Sequence, residues 1–267
     1  MNRQEIGRKQ EKVTKRIMLW GVLVGFLVAS TPVVWAADKS EKAYKRAIEL
    51  RKKGKIEEAR KKLEEALGLN PNYEKARILL GLTCFQIGEQ LKSKGDNASA
   101  LAMLQQAVTT DPEEAYSHAA LSQSFREAGD ADNAAKECAE AARLSPLDAI
   151  LKGGCLTAKE TAKVWDGDKA PPKSVEKGRI SAPRPIDKPE PPYSEKARQA
   201  HLQGTTVLFI VVDEEGDVTR LGVLKPLGLG LDQQALKTVS HWRFEPAKLD
   251  GVPVKVKVLV EVQFRLY

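Results

Sequence analysis

The sequence predicts an α+β multidomain chain: an N-terminal α-solenoid of three helix pairs plus a capping helix, then a small α-β-β-α-β domain. Three observations carry this. A pattern of small and apolar residues recurs between residues 40 and 148, with Pro112 and Pro146 set 34 residues apart. Prolines alternating with charges of both signs fill residues 161–188. From Val252 to Leu266 every second residue is apolar, as a strand with one core face and one wet face requires. The chain therefore divides into an N-terminal segment (1–37), a repeat domain (40–160), a linker (161–188) and a strand-rich domain (189–267).

In the repeat domain, Ala59, Leu63, Ala66 and Pro71 correspond to Ala100, Leu104, Ala107 and Pro112, and again to Ala134, Cys138, Ala141 and Pro146. The first three of each set fall on one helix face. Gly54, Gly95 and Gly129 precede each set where the chain must turn between helices. Leu80-Gly81 and Leu121-Ser122 supply small residues for close packing of the first helices. The pattern resembles the tetratricopeptide repeat, in units 40–73, 74–114 and 115–148. Pro71 and Pro112 are 41 residues apart, so the second unit has seven extra residues. Seven residues are two helical turns, which predicts a first helix running to near Lys94. A capping helix is expected from about Leu147 into Thr161.

The linker has no face that could pack. At roughly 3.1 Å per residue it reaches at most about 90 Å, and few contacts are expected between the domains it joins. The last domain opens with a helix over Ser194–Gln203, capped by Ser194. Val207–Val212 is a continuous apolar run, as in a strand buried on both faces. Glu214-Glu215-Gly216-Asp217 is a hairpin turn, Val218–Leu224 the returning strand and Asp232–Trp242 a second helix. The final strand is too long for a hairpin partner to pair fully, which leaves an edge.

Within this domain stand Pro-Pro-Tyr at 191–193, Val-Asp-Glu-Glu-Gly-Asp-Val at 212–218 and Gly-Leu-Asp at 230–232. Trp-Arg-Phe-Glu-Pro-Ala at 242–247 and Asp-Gly-Val-Pro-Val at 250–254 follow. Residues 189–267 resemble the C-terminal domain of the TonB family. The resemblance implies that the last strand, Val258, Leu259, Val260, Glu261, Val262, Gln263 and Phe264, receives an extended partner segment such as the TonB box of an outer-membrane transporter. It further implies TonB-dependent transporters and an ExbB–ExbD-like inner-membrane motor as partners. A motor-coupled protein would need an intact membrane anchor; members that couple to the motor carry a membrane histidine, and residues 17–37 have none. The competing reading is a periplasmic scaffold that joins envelope proteins without energy input. Exchange of the long strand between two copies is a route to a homodimer.

The concave side of the repeats offers a second surface: Tyr44, Ile48, Ile78, Leu82, Phe85, Tyr116, Gln123 and Arg126. The alternative for the strand is that Lys255, Lys257, Glu261 and Arg265 merely protect an edge. Trp242, Phe244 and Tyr193 are expected as core or anchoring residues before contact residues. Cys84 is expected as a buried thiol; Cys138 and Cys155 lie on successive helices and can pair as a disulfide in an oxidising compartment.

The N-terminus bears on location. Arg3, Arg8, Lys9, Lys12, Lys15 and Arg16 precede an apolar stretch, Ile17–Ala37. Pro32 and Val34-Trp35-Ala36 suit signal cleavage near Ala36, whereas the 21-residue length suits a tether to the inner membrane. Both readings put the rest of the chain in the periplasm, with the basic head on the cytoplasmic side. The net charge of +7 forms no basic stripe with interleaved aromatics, which argues against nucleic acid. His118, His201 and His241 are scattered without metal spacing, and no nucleophile elbow, P-loop or dinucleotide fingerprint occurs. No cofactor, metal or catalytic residue is expected, and the reading is of a binding protein, not an enzyme.

Overall fold

A computed structural model of the chain describes residues 31–155 and 180–266. The leader or anchor reading falls almost wholly on residues outside these. No helix among the described residues is long and apolar enough to cross a membrane.

Three antiparallel helix pairs form the array: α1 (Thr31–Lys52) with α2 (Ile56–Leu69), α3 (Glu74–Ser93) with α4 (Asn97–Thr110), and α5 (Ala115–Glu127) with α6 (Ala131–Leu144). The repeating small-and-apolar set is what each second helix buries: Ala59, Leu63 and Ala66 on α2, Ala100, Leu104 and Ala107 on α4, Ala134, Cys138 and Ala141 on α6. Burying a leucine such as Leu63 or Leu104 contributes about 1.5–3 kcal/mol. Gly54, Gly95 and Gly129 adopt φ of +73°, +82° and +81°, the left-handed turn that ends each first helix. Asp96 and Asp130 cap the second and third turns by accepting the Ser99 and Asn133 amides at 3.2 and 3.1 Å.

The seven extra residues do lengthen α3, which stops with Lys94 as its cap. Gly88 is buried inside that helix rather than turning it, and a Cβ there would lie 2.7 Å from Leu104 Cγ. Ser122 serves the same close approach, its hydroxyl donating to Ala134 O at 2.7 Å. The capping helix is shorter than expected. α7 spans only Ala149–Lys152 and ends at Gly153-Gly154, two residues of poor helix propensity; residues 156–161 lie outside the described ones. A disulfide joins Cys138 on α6 to Cys155 just beyond α7. Cys84 is a free thiol, and burial pushes its pKa up to about 12.

The strand-rich part comprises β1 (Ile180–Ser181), β2 (Arg184–Asp187), α8 (Glu195–Gln199), β3 (Gly204–Val212), β4 (Val218–Lys225), α9 (Leu231–Val239), β5 (Arg243–Glu245), β6 (Ala247–Leu249), β7 (Val252–Val254) and β8 (Val256–Phe264). The main antiparallel sheet has the order β4-β3-β8, and α9 packs against β3 and β4. Leu208, Phe209 and Ile210 in the middle of β3 are fully buried, as the continuous apolar run requires. Leu231, Ala235, Leu236 and Val239 are the buried face of α9.

Two differences from the sequence reading have clear causes. The final strand is not continuous. It breaks at Lys255, and Val252–Val254 folds back on Ala247–Leu249 as a hairpin with Leu249 opposite Val252. Asp250 and Gly251 both have positive φ, +51° and +86°, which matches the right-handed strand twist. Residues 180–187 also pair: Ile180 lies opposite Leu249, and Arg184 opposite Glu245. The strand-rich part therefore begins N-terminal to Pro189, within the expected linker. Both expected helices are shorter at their C-terminal ends than their apolar patterns suggest.

Candidate functional site

β8 pairs in unbroken register with β3 along its length, from Gly204 opposite Phe264 to Val212 opposite Val256. It is the last strand of its sheet, and no described strand pairs with its other edge. Val256, Val262 and Phe264 turn into the core and Val258 and Val260 are half-buried, while Lys257, Leu259, Glu261 and Gln263 face solvent. Leu259 is 65% exposed.

A slot runs beside this strand. One hollow of about 400 Å³ lies between Glu261–Arg265 and a strap made of Lys188, Pro189, Glu190, Pro191 and Tyr193. A second, of about 360 Å³, continues it along Val258–Glu261, opposite Ala182, Pro183 and Pro185. Trp242 belongs to both walls. The strap is fixed by the Trp242 indole N–H, which donates to Pro189 O at 3.0 Å, and by Lys188 Nζ, 5.0 Å from the ring centroid. Tyr193 packs edge-on against Phe264 and donates its hydroxyl to Leu202 O. Trp242 and Phe244 are buried at the corner between α9 and β5. The seven strand residues singled out from the sequence thus lie on one edge, beside an extended slot. Strand addition needs that geometry, because backbone groups supply the bonds and side chains supply modest selectivity.

The concave repeat residues are differently placed. Tyr44, Ile48, Ile78, Leu82, Phe85 and Tyr116 are all buried, and the strand-rich part sits on the groove they form. Tyr44 donates its hydroxyl to Gln199 O of α8 at 3.0 Å, and burial pushes its pKa up to about 12. Leu82 lies against Gly228, where a Cβ would come within 2.8 Å of its Cδ1. Phe85 and Tyr116 line a hollow of about 200 Å³ shared with Val223, Leu224 and Pro226. Gln123 lines the same hollow and accepts from Lys92 at 3.2 Å; Arg126 donates to Gly154 O at 2.8 Å, away from this contact. The expectation of few contacts between the two parts is therefore corrected.

The sequence reading missed the carboxylates that make this seam. Glu114 accepts the Leu229 amide at 2.9 Å. Asp148 accepts the Val223 amide at 3.1 Å, the Ile150 amide at 2.8 Å and the Tyr116 hydroxyl at 3.0 Å. Lys196 reaches Glu113 at 3.0 Å and Asp111 at 3.4 Å. Burial, with Asp232 and Asp111 nearby, raises the Glu114 pKa to about 8. Burial also raises Asp148 and Asp232. Nothing in a single sequence marks Glu114 or Asp148 apart from the charges around them. Among the described residues no cluster of His, Cys, Asp and Glu is arranged to hold a metal ion.

Comparison with known proteins agrees with this division. Residues 189–266 match the family of the Gram-negative bacterial TonB protein C-terminal domain, and residues 44–93 and 87–149 match the tetratricopeptide repeat. Protein TonB of Vibrio cholerae is 33% identical over 103 residues, covering 36% of this chain and 42% of that protein. Protein TonB of Xanthomonas campestris pv. campestris is 32% identical over 77 residues, 28% of this chain and 34% of the relative. The match spans less than half of either relative. Among solved structures, MamA aligns over 63% of this chain and 86% of its own at 16% identity and a TM-score of 0.33. YrrB, described as a TPR protein with an unusual peptide-binding site, aligns over 47% of this chain and 57% of its own at 21% identity and a TM-score of 0.30. The chain thus carries tetratricopeptide repeats over residues 44–149 followed by a TonB-type C-terminal domain over residues 189–266.

Proposed function

We propose that the chain is a cell-envelope interaction protein that binds an extended segment of a partner by strand addition to the outer edge of β8. The observation that carries this is the outer edge of β8, which no described strand pairs, set beside a preformed slot within a domain that matches the TonB C-terminal family. The slot matters because a bare edge decorated with Lys257 and Glu261 would serve equally well as a protected one. A wall some distance from the strand, built on Trp242 and the 188–193 strap, instead gives an incoming segment a second side to lie against.

The match of residues 189–266 to the TonB C-terminal family supports a protein partner in the envelope. An exposed N-terminal segment of an outer-membrane transporter is the leading candidate; another envelope protein with an extended tail is the next. Whether pulling force accompanies binding depends on residues 17–37. The lack of histidine there favours the reading without a motor, in which the chain is a periplasmic adaptor.

The test is titration of extended transporter N-terminal peptides against the wild type and Glu261→Pro. Proline is tolerated on an edge strand but removes an amide that an added strand would pair with, so binding should fall more than tenfold while circular dichroism stays unchanged. A folded Glu261→Pro variant that bound normally would rule out the edge.

A further inference from the structure

We propose that the concave groove of the repeats is a receptor for the chain's own strand-rich domain, whose segment Gly222–Leu229 it holds, so that an outside partner reaches the groove only by displacing it. This does not depend on what β8 binds.

The recognition is specific in kind. Two array carboxylates take two main-chain amides of one segment: Asp148 takes that of Val223 and Glu114 that of Leu229. Backbone amides that face away from their own sheet need an acceptor, and a buried one left without is destabilising. Asp148 supplies it for Val223, an edge residue of β4. Close approach is made possible by glycine at both places. A Cβ on Gly222 would lie 2.8 Å from Asp148 Oδ1, and one on Gly228 would lie 2.8 Å from Leu82 Cδ1. Side chains at either position would hold the two parts off from each other.

Apolar contact adds to this. Buried residues of the array and of the strand-rich part belong to one continuous core that includes Tyr44, Leu82 and Phe85 on one side and Val223 and Leu229 on the other. Outside this core, Lys196 bridges to Asp111 and Glu113. The usual ligand of a repeat groove is an extended peptide or a helix. Here the groove holds a strand edge and a glycine-rich loop from the same chain, and the opposite sheet edge, β8, stays accessible. An outside competitor must therefore offer both amides to carboxylates and small residues where Leu82 and Asp148 approach.

The experiment uses the full chain with a specific protease site placed between residues 163 and 179. After cleavage, the two pieces should co-elute at the mass of one chain at micromolar concentration. Glu114→Ala with Asp148→Ala should weaken their association at least tenfold, measured by titrating the separated pieces. Leu82→Arg, which meets Gly228 and leaves both carboxylates in place, should do the same; helix content by circular dichroism identifies a variant that has simply unfolded. Wild-type pieces that part on cleavage would overturn the proposal. So would co-elution only at twice the mass of one chain, or folded variants that associate as tightly as the wild type.

Discussion

The two edges of the main sheet are chemically alike and are treated in opposite ways. At the β4 edge the repeat array closes in: the Val223 amide finds Asp148, and Gly222 is bare enough to let that carboxylate approach. At the β8 edge no described strand or helix closes in; the strap from Ala182 to Tyr193 stands off and leaves a slot. Edge strands in general must be covered or charged to prevent uncontrolled pairing. This chain covers one with its own repeats and leaves the other with alternating charges and a hydrophobic tip at Leu259. Availability for a partner is therefore decided by what packs against an edge more than by the strand itself.

The comparison breaks most completely if the covering array is lost. Leu121 is buried between α5 and its neighbours, and an unpaired carboxylate in its place costs several kcal/mol. Leu121→Asp is expected to unfold the repeats and expose the β4 edge while leaving β3, β4 and β8 paired. Thermal melts followed at far-ultraviolet wavelengths, with aggregation tracked by light scattering, check this; retention of helix content would contradict it.

A smaller effect comes from protons. Glu114 faces Asp111 on its own side, Asp232 and the Leu229 amide from the strand-rich part, and Lys196 of α8 lies beyond Asp111. Its pKa is raised from 4.5 to about 8 when the parts are docked. The docked state therefore binds more protons. Its advantage is complete below about pH 4.5 and is lost as pH rises through about 8. Asp148, also raised by burial, acts in the same direction. Association of the cleaved pieces should weaken with rising pH between 6 and 8, by at most about tenfold per unit for one group. Binding at β8 should not follow that trend, and a common pH profile for both would show that the two edges are not independent.

Gly222→Ala sharpens the contrast further. The added methyl would come within 2.4 Å of the Phe209 ring and 2.8 Å of Asp148, so it should cost about 1–3 kcal/mol and lower the melting temperature. Least affected should be Leu259→Ala. Its side chain is largely in solvent, so stability should change by less than about 0.5 kcal/mol, and affinity for an extended peptide should stay within about threefold. A large loss of affinity would mean that side chains, not the backbone, carry recognition at β8.

Much of this architecture is legible in the sequence because it rests on periodicity. The Ala-Leu-Ala sets of the repeats, the seven-residue insertion and the alternating valines each report a local rule. The hairpin at Asp250-Gly251 was also legible in principle. The dipeptide is a strong turn signal, but the uninterrupted valine alternation from Val252 conceals the change of partner at Lys255. The strands at 180–181 and 184–187 are short, with Pro183 between them and Pro185 inside the second, so no alternation announces them. The docking of the two parts could not be read at all. It depends on Glu114 and Asp148 meeting amides 115 and 75 residues away, and no local pattern distinguishes those acids from solvated ones.

The disulfide has a practical consequence for anyone preparing this protein. Cys138 and Cys155 close a loop that contains Asp148 and all of α7, with a sequence separation of 17. Closing a loop of that size restricts the unfolded chain by about 3 kcal/mol. Material produced in a reducing cytosol would lack that restraint. It would have the correct residues and a largely correct fold, yet its terminal turn would hold Asp148 less firmly against the sheet. Two preparations of one sequence could then differ in how readily the repeat groove opens, with the oxidation history of the sample as the sole variable.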